Sequence, residues 1–359
     1  MILIPTLNPD DNLVDYIVSL ISNGFNYIVV VNDGSLESKE YIFDKIRAYN
    51  ECKVIDHAVN LGKGRALKNG FNHCLNFHGN DAGIKHVITV DSDGQHIVED
   101  VIRVDEFSNS LSEESLVLGC RDFSLTSIPF KSKNGNKITR SIFRLLYGTK
   151  ISDTQTGLRS IPKSKLDEYM RLAGEGFEYE TNMLVYNSIK KSPIEEISIQ
   201  TVYYDNNSLS HFNPVNDSIA IYKIIINSFL KFVFASLSSA IIDLGAFQLM
   251  ILLLSGLVGN QRILIATIIA RSISSLYNYT VNRKIVFKNK NNIRITIVKY
   301  YLLCIILMLL SAFTVSFIYK NSGLPEAIIK MFVDAFLFLI SFKIQQIYIF
   351  GVTKGERFE

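Results

Sequence analysis

Two carboxylates stand one residue apart where an apolar run ends, in HVITVDSDGQH, which places Asp91 and Asp93 directly after a β-branched stretch. At a strand end, side chains spaced i, i+2 can both turn into one crevice, where a hard divalent cation would bridge them to a diphosphate. Such pairs also occur in solvated turns, so the neighbouring segments decide the weight of this one. Polar tips recur in IPTLNPD (4–10) and VVVNDGS (29–35), and NLGKGRALKNG (60–70) opens a helical pattern. No Ser-His-Asp or Cys-His arrangement is present. The four cysteines, Cys52, Cys74, Cys120 and Cys304, are scattered without a CxxC, which argues against a zinc site or a disulfide framework and for reduced thiols.

The elements that must hold these tips read as alternating strand and helix from residue 1 to about 205. Apolar runs at MILIP, 27–33, 53–57, 86–91 and 115–120 are bounded by Asn, Asp and Gly, and helical patterns at 12–24 and 63–77 lie between them. That alternation implies a mostly parallel sheet covered by helices, with ligands beyond the carboxyl ends of its strands. The segment KITRSIFRLLYGTK (137–150) sets Ile138, Ile142, Leu145 and Leu146 on one side of a helix and Lys137, Arg140 and Arg144 on the other. Two readings fit: a helix lying in a membrane interface, or a surface helix packed on its own domain.

At 48% hydrophobic and 20% charged residues, the chain is too apolar for one ordinary soluble domain. Of its 37 Lys/Arg and 34 Asp/Glu, 14 and 5 lie in 230–359, leaving 23 and 29 in 1–229. The net charge of +3 therefore averages an acidic first part and a basic second part, which argues against nucleic acid as a partner. Long apolar runs predict four transmembrane spans, at about 232–258, 263–281, 296–319 and 327–350. The loop 283–294 holds five Lys/Arg and no acid, so it is expected on the cytoplasmic side with both termini. The N-terminus has no basic n-region and is not read as a secretory signal.

Taken together, the tips resemble those of family 2 glycosyltransferases with a GT-A fold. GCRDF (119–123), IPFKSKNGN (128–136), SDTQTGLRSIP (152–162), GFEYE (176–180) and YYDNNSLSHFNP (203–214) are similar to the polyprenyl-phosphate subgroup that includes dolichyl-phosphate mannose synthase. The tail, with NYTVNRKIVF (278–287), resembles the GtrA-like membrane domain. The expected architecture is thus a cytoplasmic, Rossmann-like α/β GT-A domain (1–215), an interfacial linker helix (216–231) and an all-α bundle of four transmembrane helices (232–359). The whole would be a multi-pass protein of the cytoplasmic (inner) membrane.

The resemblance implies roles for particular residues. Pro5, Thr6, Asp33, Lys63, Ser92 and His211 would line the nucleotide, and Asp91, Asp93 and Gln95 would hold magnesium or manganese. Leu7 and Asn8 replace the family's usual aromatic-acid pair, which bears on the base; UDP is preferred to GDP. Arg121, Lys131 and Lys133 match the basic residues that receive the acceptor phosphate. Asp153 and Arg159, from DTQTGLR, would sit near the sugar or brace the site, and Glu178, Glu180 and Ser210 are further candidates.

The implied reaction is inverting transfer of one sugar from a nucleotide-sugar to undecaprenyl or dolichyl phosphate, with the membrane as a partner and homo-oligomerisation an added option. A processive polysaccharide synthase would carry a Gln-x-x-Arg-Trp motif, and this chain contains no tryptophan. From another class, the membrane part could itself move the lipid-linked sugar across the bilayer. Asp243, Arg271 and Asp334 motivate that option, since each falls roughly 15 to 24 Å from the inner face at about 1.5 Å per residue. The competing reading is a salt-bridged cluster that locks the bundle.

Overall fold

The computed structural model describes residues 1–81, 83–123, 130–200, 216–256, 258–289, 291–322 and 324–350. It divides into a first unit that runs from Met1 to Ile225 and a second from Ile226 onward.

In the first unit the elements follow as β1 (Ile2–Thr6), α1 (Asn12–Ser22), β2 (Ile28–Asn32), α2 (Glu40–Arg47), β3 (Cys52–Asp56), α3 (Lys63–His78), β4 (His86–Thr89) and α4 (Val98–Ser110). Then come β5 (Leu116–Arg121), α5 (Phe130–Tyr147), β6 (Arg159–Pro162), α6 (Leu166–Met170), α7 (Glu178–Lys190) and β7 (Ile194–Ile199). The seven strands form one sheet in the order β3-β2-β1-β4-β6-β5-β7. β6 runs antiparallel to β4 and β5, and the other pairings are parallel.

Strands β1, β2 and β4 are buried along their whole length, which is why their sequences are unbroken apolar runs rather than alternating ones. Their inner face packs Ile2, Ile4, Val30 and Ile88 against Leu13 and Ile17 of α1, Phe43 of α2 and Val101 of α4. The chain order reverses between β1 and β4, so the crevice at the carboxyl ends of β1, β2 and β4 is the topological switch point of the sheet. Thr6, Asp33 and Asp91 all lie there.

The helix over 130–147 differs from the wheel drawn on its sequence. Its inward face is Asn136, Thr139, Phe143, Leu146 and Tyr147, while Ile138 and Leu145 are 53% and 54% exposed. Tyr147 donates from its hydroxyl to the Ile225 carbonyl at 3.0 Å, and Thr139 Oγ1 bonds the Tyr222 hydroxyl at 3.3 Å. Leu146 is therefore a core residue, whereas Ile138 and Leu145 form an apolar stripe that the unit does not cover. Hydrogen-bonding side chains let Asn136 and Thr139 occupy the inner face in place of aliphatic ones.

The second unit holds four helices among its described residues. The first, α8 (Asn216–Leu253), is one uninterrupted helix of 38 residues that begins in the first unit and continues into the second from Ile226, with 216–231 as its opening stretch. It is followed by α9 (Gly259–Val281), α10 (Ile293–Ser322) and α11 (Glu326–Ile344). Two stretches are long and apolar enough by themselves to cross a bilayer, Ile225–Leu253 and Ile293–Asn321. α9 and α11 are shorter than these, α9 is more polar, and α11 carries Glu326, Lys330, Asp334 and Lys343. Arg271 lies 3.6 Å from Asp243, but Asp334 pairs with Lys330 at 2.8 Å. Asp243, Arg271 and Asp334 thus fall into two separate groups instead of one cluster, and Lys330 has a carboxylate partner.

Candidate active site

At the tip of β2, Asp33 is almost wholly buried and spends its carboxylate on the loop that follows β3. Oδ1 accepts the Leu61 N–H at 2.9 Å and faces His57 Nδ1 at 2.7 Å, and Oδ2 accepts the Gly62 N–H at 2.8 Å. Asn69 meets the other ring nitrogen of His57 at 2.7 Å; with the Asn69 amide donating to Nε2, it is the Nδ1–H that donates to the Asp33 carboxylate. This chain fixes where α3 begins. Gly62 just before it has φ +99°, and a Cβ there would lie 2.4 Å from the Glu175 carbonyl oxygen, so only glycine fits. His57 is absent from the sequence-based candidates because its partners come from β2 and α3.

Lys63 therefore emerges at the first position of α3 with its ammonium between two acids, 2.6 Å from Asp91 Oδ1 and 2.9 Å from Glu180 Oε2. Burial by itself would depress the Lys63 pKa, but the charges of Asp91 and Glu180 outweigh it and raise it. Asp91 shows the converse: burial pushes its pKa up, and Lys63 with His96, whose Nε2 lies 3.5 Å from Oδ2, pulls it well below the ordinary carboxylate range. Asp93 is raised, first by burial and then by the negative charge of Asp91. One Asp93 oxygen accepts the Gln95 backbone N–H at 3.1 Å. Ser92 and Gln95 are half-buried beside the pair.

Behind this row lies a second layer of charge. Arg121 at the end of β5 grips the fully buried Asp153 with two prongs, Nε to Oδ2 at 2.6 Å and Nη2 to Oδ1 at 2.9 Å. Arg159 is buried as well, donating to the carbonyls of Thr156 at 2.8 Å and Glu180 at 2.7 Å. Both members of the DTQTGLR acid-base pair thus face inward and hold backbone, with no surface left for substrate. Glu178 accepts the N–H groups of Glu175 and Gly176 and shapes the turn before α7. At the first tip Pro5 and Thr6 are buried, and Asn8, in the left-handed region at φ +47°, accepts the Leu36 N–H at 2.8 Å. Lys131 and Lys133 fall in the first turn of α5 with side chains outside the described residues, and Ser210 and His211 lie outside them altogether.

Gly157 closes the row from the β6 side. A Cβ on it would sit 2.1 Å from Asp91 Oδ2, so the carboxylate rests on bare backbone. Gly157→Ala is expected to drive Asp91 off Lys63, at a cost of about 1–3 kcal/mol in stability and with loss of transfer activity. Thermal melting and single-turnover assays of the same preparation check both.

Beside Arg121 opens a cleft of about 740 Å³ lined by Lys137, Arg140 and Arg144 of α5 together with Lys150 and Asn136. Its only acid is Asp122 among the lining residues described. Such a cleft suits a multiply charged phosphate.

A mostly parallel sheet with an acid pair at its switch point, a basic cleft beside Arg121 and a membrane-type helical unit define a GT-A-like glycosyltransferase tied to a membrane. Comparison with known proteins specifies the class. The chain carries a family 2 glycosyltransferase domain fused to a GtrA/DPMS transmembrane domain: the model described as glycosyl transferase family 2 matches residues 1–170, and the one described as GtrA/DPMS, transmembrane domain, matches residues 231–350.

Among its relatives, the UDP-N-acetylglucosamine–dolichyl-phosphate N-acetylglucosaminyltransferase of Methanococcus voltae is 26% identical over 219 residues, covering 56% of this chain and 85% of that protein. An uncharacterised protein of Methanocaldococcus jannaschii is 25% identical over 229 residues, covering 62% of this chain and 90% of the other. Among solved structures, mannosyl-3-phosphoglycerate synthase from Rubrobacter xylanophilus superposes with a TM-score of 0.44 at 13% identity, over 62% of this chain and 73% of that one.

Proposed function

We propose that the protein transfers one sugar from a UDP-sugar to a polyprenyl phosphate, with inversion, making a lipid-monophosphate-linked sugar. The carrying observation is the basic cleft of Arg121, Lys137, Arg140, Arg144 and Lys150, whose α5 wall also bears the uncovered stripe of Ile138 and Leu145. A lipid phosphate needs both properties at once, cations for the head and an apolar surface where the chain meets the bilayer. The printed name of the Methanococcus voltae relative, with its UDP-sugar and dolichyl phosphate, supports the same donor and acceptor classes.

The acceptor phosphate is already an anion at neutral pH, so its oxygen can attack the anomeric carbon without a general base. The bond from that carbon to the UDP oxygen breaks as the new one forms, and UDP leaves with the electron pair. What the chain must supply is alignment and neutralisation. Arg121, held by Asp153, and the α5 cations hold the incoming phosphate; Asp33 positions the α3 entry, and Glu180, braced by Arg159, holds Lys63 beside Asp91. Lys131 and Lys133 belong to the same helix and are assigned to the same acceptor role.

The residues fit a divalent cation. Asp91 and Asp93 are hard oxygen donors one residue apart, and the pKa of Asp93, raised by burial and then by the charge of Asp91, marks a carboxylate that a cation would stabilise. Among the described residues no three His, Cys, Asp or Glu side chains are grouped so as to hold a metal by themselves, so Gln95 and diphosphate oxygens would complete the set. When bound, magnesium or manganese supplies charge neutralisation to the leaving diphosphate. We place the catalytic unit and both termini on the cytoplasmic side of a four-span membrane domain.

A screen of radiolabelled UDP- and GDP-sugars with membranes and either undecaprenyl or dolichyl phosphate tests the reading; it is wrong if no label enters the lipid phase. In the same assay, Arg140→Glu with Arg144→Glu is expected to raise the KM for the lipid about tenfold or more. The donor KM should stay unchanged, because both side chains are exposed on α5 and line the basic cleft, whereas the donor residues stand at the strand tips.

A further inference from the structure

The helices of the second unit are one αα-hairpin used twice. α9 and α11 each end in a π turn, Asn282–Val286 and Gln345–Ile349, a rare conformation to find at matching places. Buried residues repeat at one constant offset, 63 positions (329−266; 349−286): Ala266 with Ile329, Ala270 with Val333, Tyr279 with Phe342, Asn282 with Gln345, and Val286 with Ile349. On the preceding helices the offset is 68 positions, and there the buried Phe232 and Ala235 correspond to the buried Tyr300 and Leu303. Equivalent residues also touch across the unit: Asn282 Nδ2 donates to Gln345 Oε1 at 3.1 Å, and the rings of Phe287 and Phe350, which follow the two π turns, stack 5.3 Å apart. Self-contacts between equivalent positions are what a two-fold axis between the hairpins produces.

At the same offset, Arg271 of α9 corresponds to Asp334 of α11. The repeat therefore sets opposite charges on opposite sides of the bundle at one depth. The Arg271 side chain is 75% exposed, and its one ion-pair partner among the described residues is Asp243, at 3.6 Å. A guanidinium offers five N–H donors, and leaving most of them facing hydrocarbon is costly. The Asp334 side chain is 47% exposed. It accepts Ser311 Oγ at 2.6 Å and Lys330 Nζ at 2.8 Å, which leaves carboxylate lone pairs free for a forked donor.

We propose that copies of this chain associate head to tail in the membrane, Arg271 of one copy seated on Asp334 of the next. The inference rests on the reading that α9 and α11 span the bilayer. A surface that carries its own complement on the opposite side joins copies heterologously, not face to face.

The test uses the full chain in lipid nanodiscs, sized by native mass spectrometry. Wild type should exceed the monomer mass, and Arg271→Gln and Asp334→Asn should each fall to monomer. An equal mixture of the two should form dimers and nothing larger, because each variant retains one of the two faces; that recovery also shows that both are folded. The exchanged pair R271D/D334R should regain wild-type assembly. A monomeric wild type, single variants that assemble unchanged, or a mixture that stays monomeric would overturn the proposal. An impermeant maleimide on Asn260→Cys and Asn291→Cys in sealed vesicles, with native cysteines exchanged for serine, checks the spanning reading separately. Labelling from the same side refutes the four spans, whereas opposite-side labelling with a monomeric protein refutes only the association.

Discussion

Asp93→Ala should lower sugar transfer roughly 10³-fold, the scale on which loss of a charge-stabilising group at a leaving oxygen registers, while leaving the fold at least as stable as before. The two outcomes have one cause. Burial and the charge of Asp91 raise the Asp93 pKa, so its ionised form is disfavoured in the folded chain. A carboxyl whose folded pKa lies above its unfolded one opposes folding once the pH rises through that window, and the penalty is absent below it. In chelator-containing buffer, the variant should melt at or above the wild-type temperature at pH 7, and the two should converge as the pH falls below the ordinary carboxylate range of about 4. Full transfer activity in the variant with metal present would remove the acid pair from the mechanism. A large loss of melting temperature would show instead that Asp93 is structural.

Lys63→Met should do the opposite, damaging the fold as well as the reaction. Its ammonium lies within 3 Å of both Asp91 and Glu180, and removing it takes the nearest cation from the buried Glu180 and the half-buried Asp91. Breaking a buried pair by deleting one partner costs about 3–5 kcal/mol. For a unit of this size each kcal/mol moves the melting temperature by about 2–4 °C, so a drop of roughly 6–20 °C is expected. Glu180→Gln in the same background should recover part of it by removing one of the orphaned charges. An unchanged melting temperature would mean that Lys63 is free in solution and the row Asp91–Lys63–Glu180 does not exist as a unit.

Much of the site was legible in the sequence because it is local. The acids at 33, 91 and 93 stand at the ends of apolar runs, and the chemistry of a strand tip can be read from its own few residues. Which acids face substrate was not legible. Asp33 and Asp153 are as polar in sequence as Asp93, yet one is committed to His57 and a loop and the other is clasped by Arg121. The helix at 130–147 shows the same limit: a wheel ranks side chains by polarity, but Asn136 and Thr139 turned inward because hydrogen-bond partners waited there.

By itself the sequence determined the alternation of strands and helices, the break at the membrane part, the acid pair and the family resemblance, since periodicity, composition and short spacings act within a few residues of one another. Only the tertiary structure decided that Lys63 meets Glu180 across 117 positions of chain, and that Arg121 meets Asp153 across 32. It also revealed that two dissimilar stretches, NRKIVF and QQIYIF, close equivalent hairpins. Burial and pairing depend on which surfaces the fold brings within a few ångströms, and electrostatics in a low-dielectric interior is set by those distances rather than by separation along the chain.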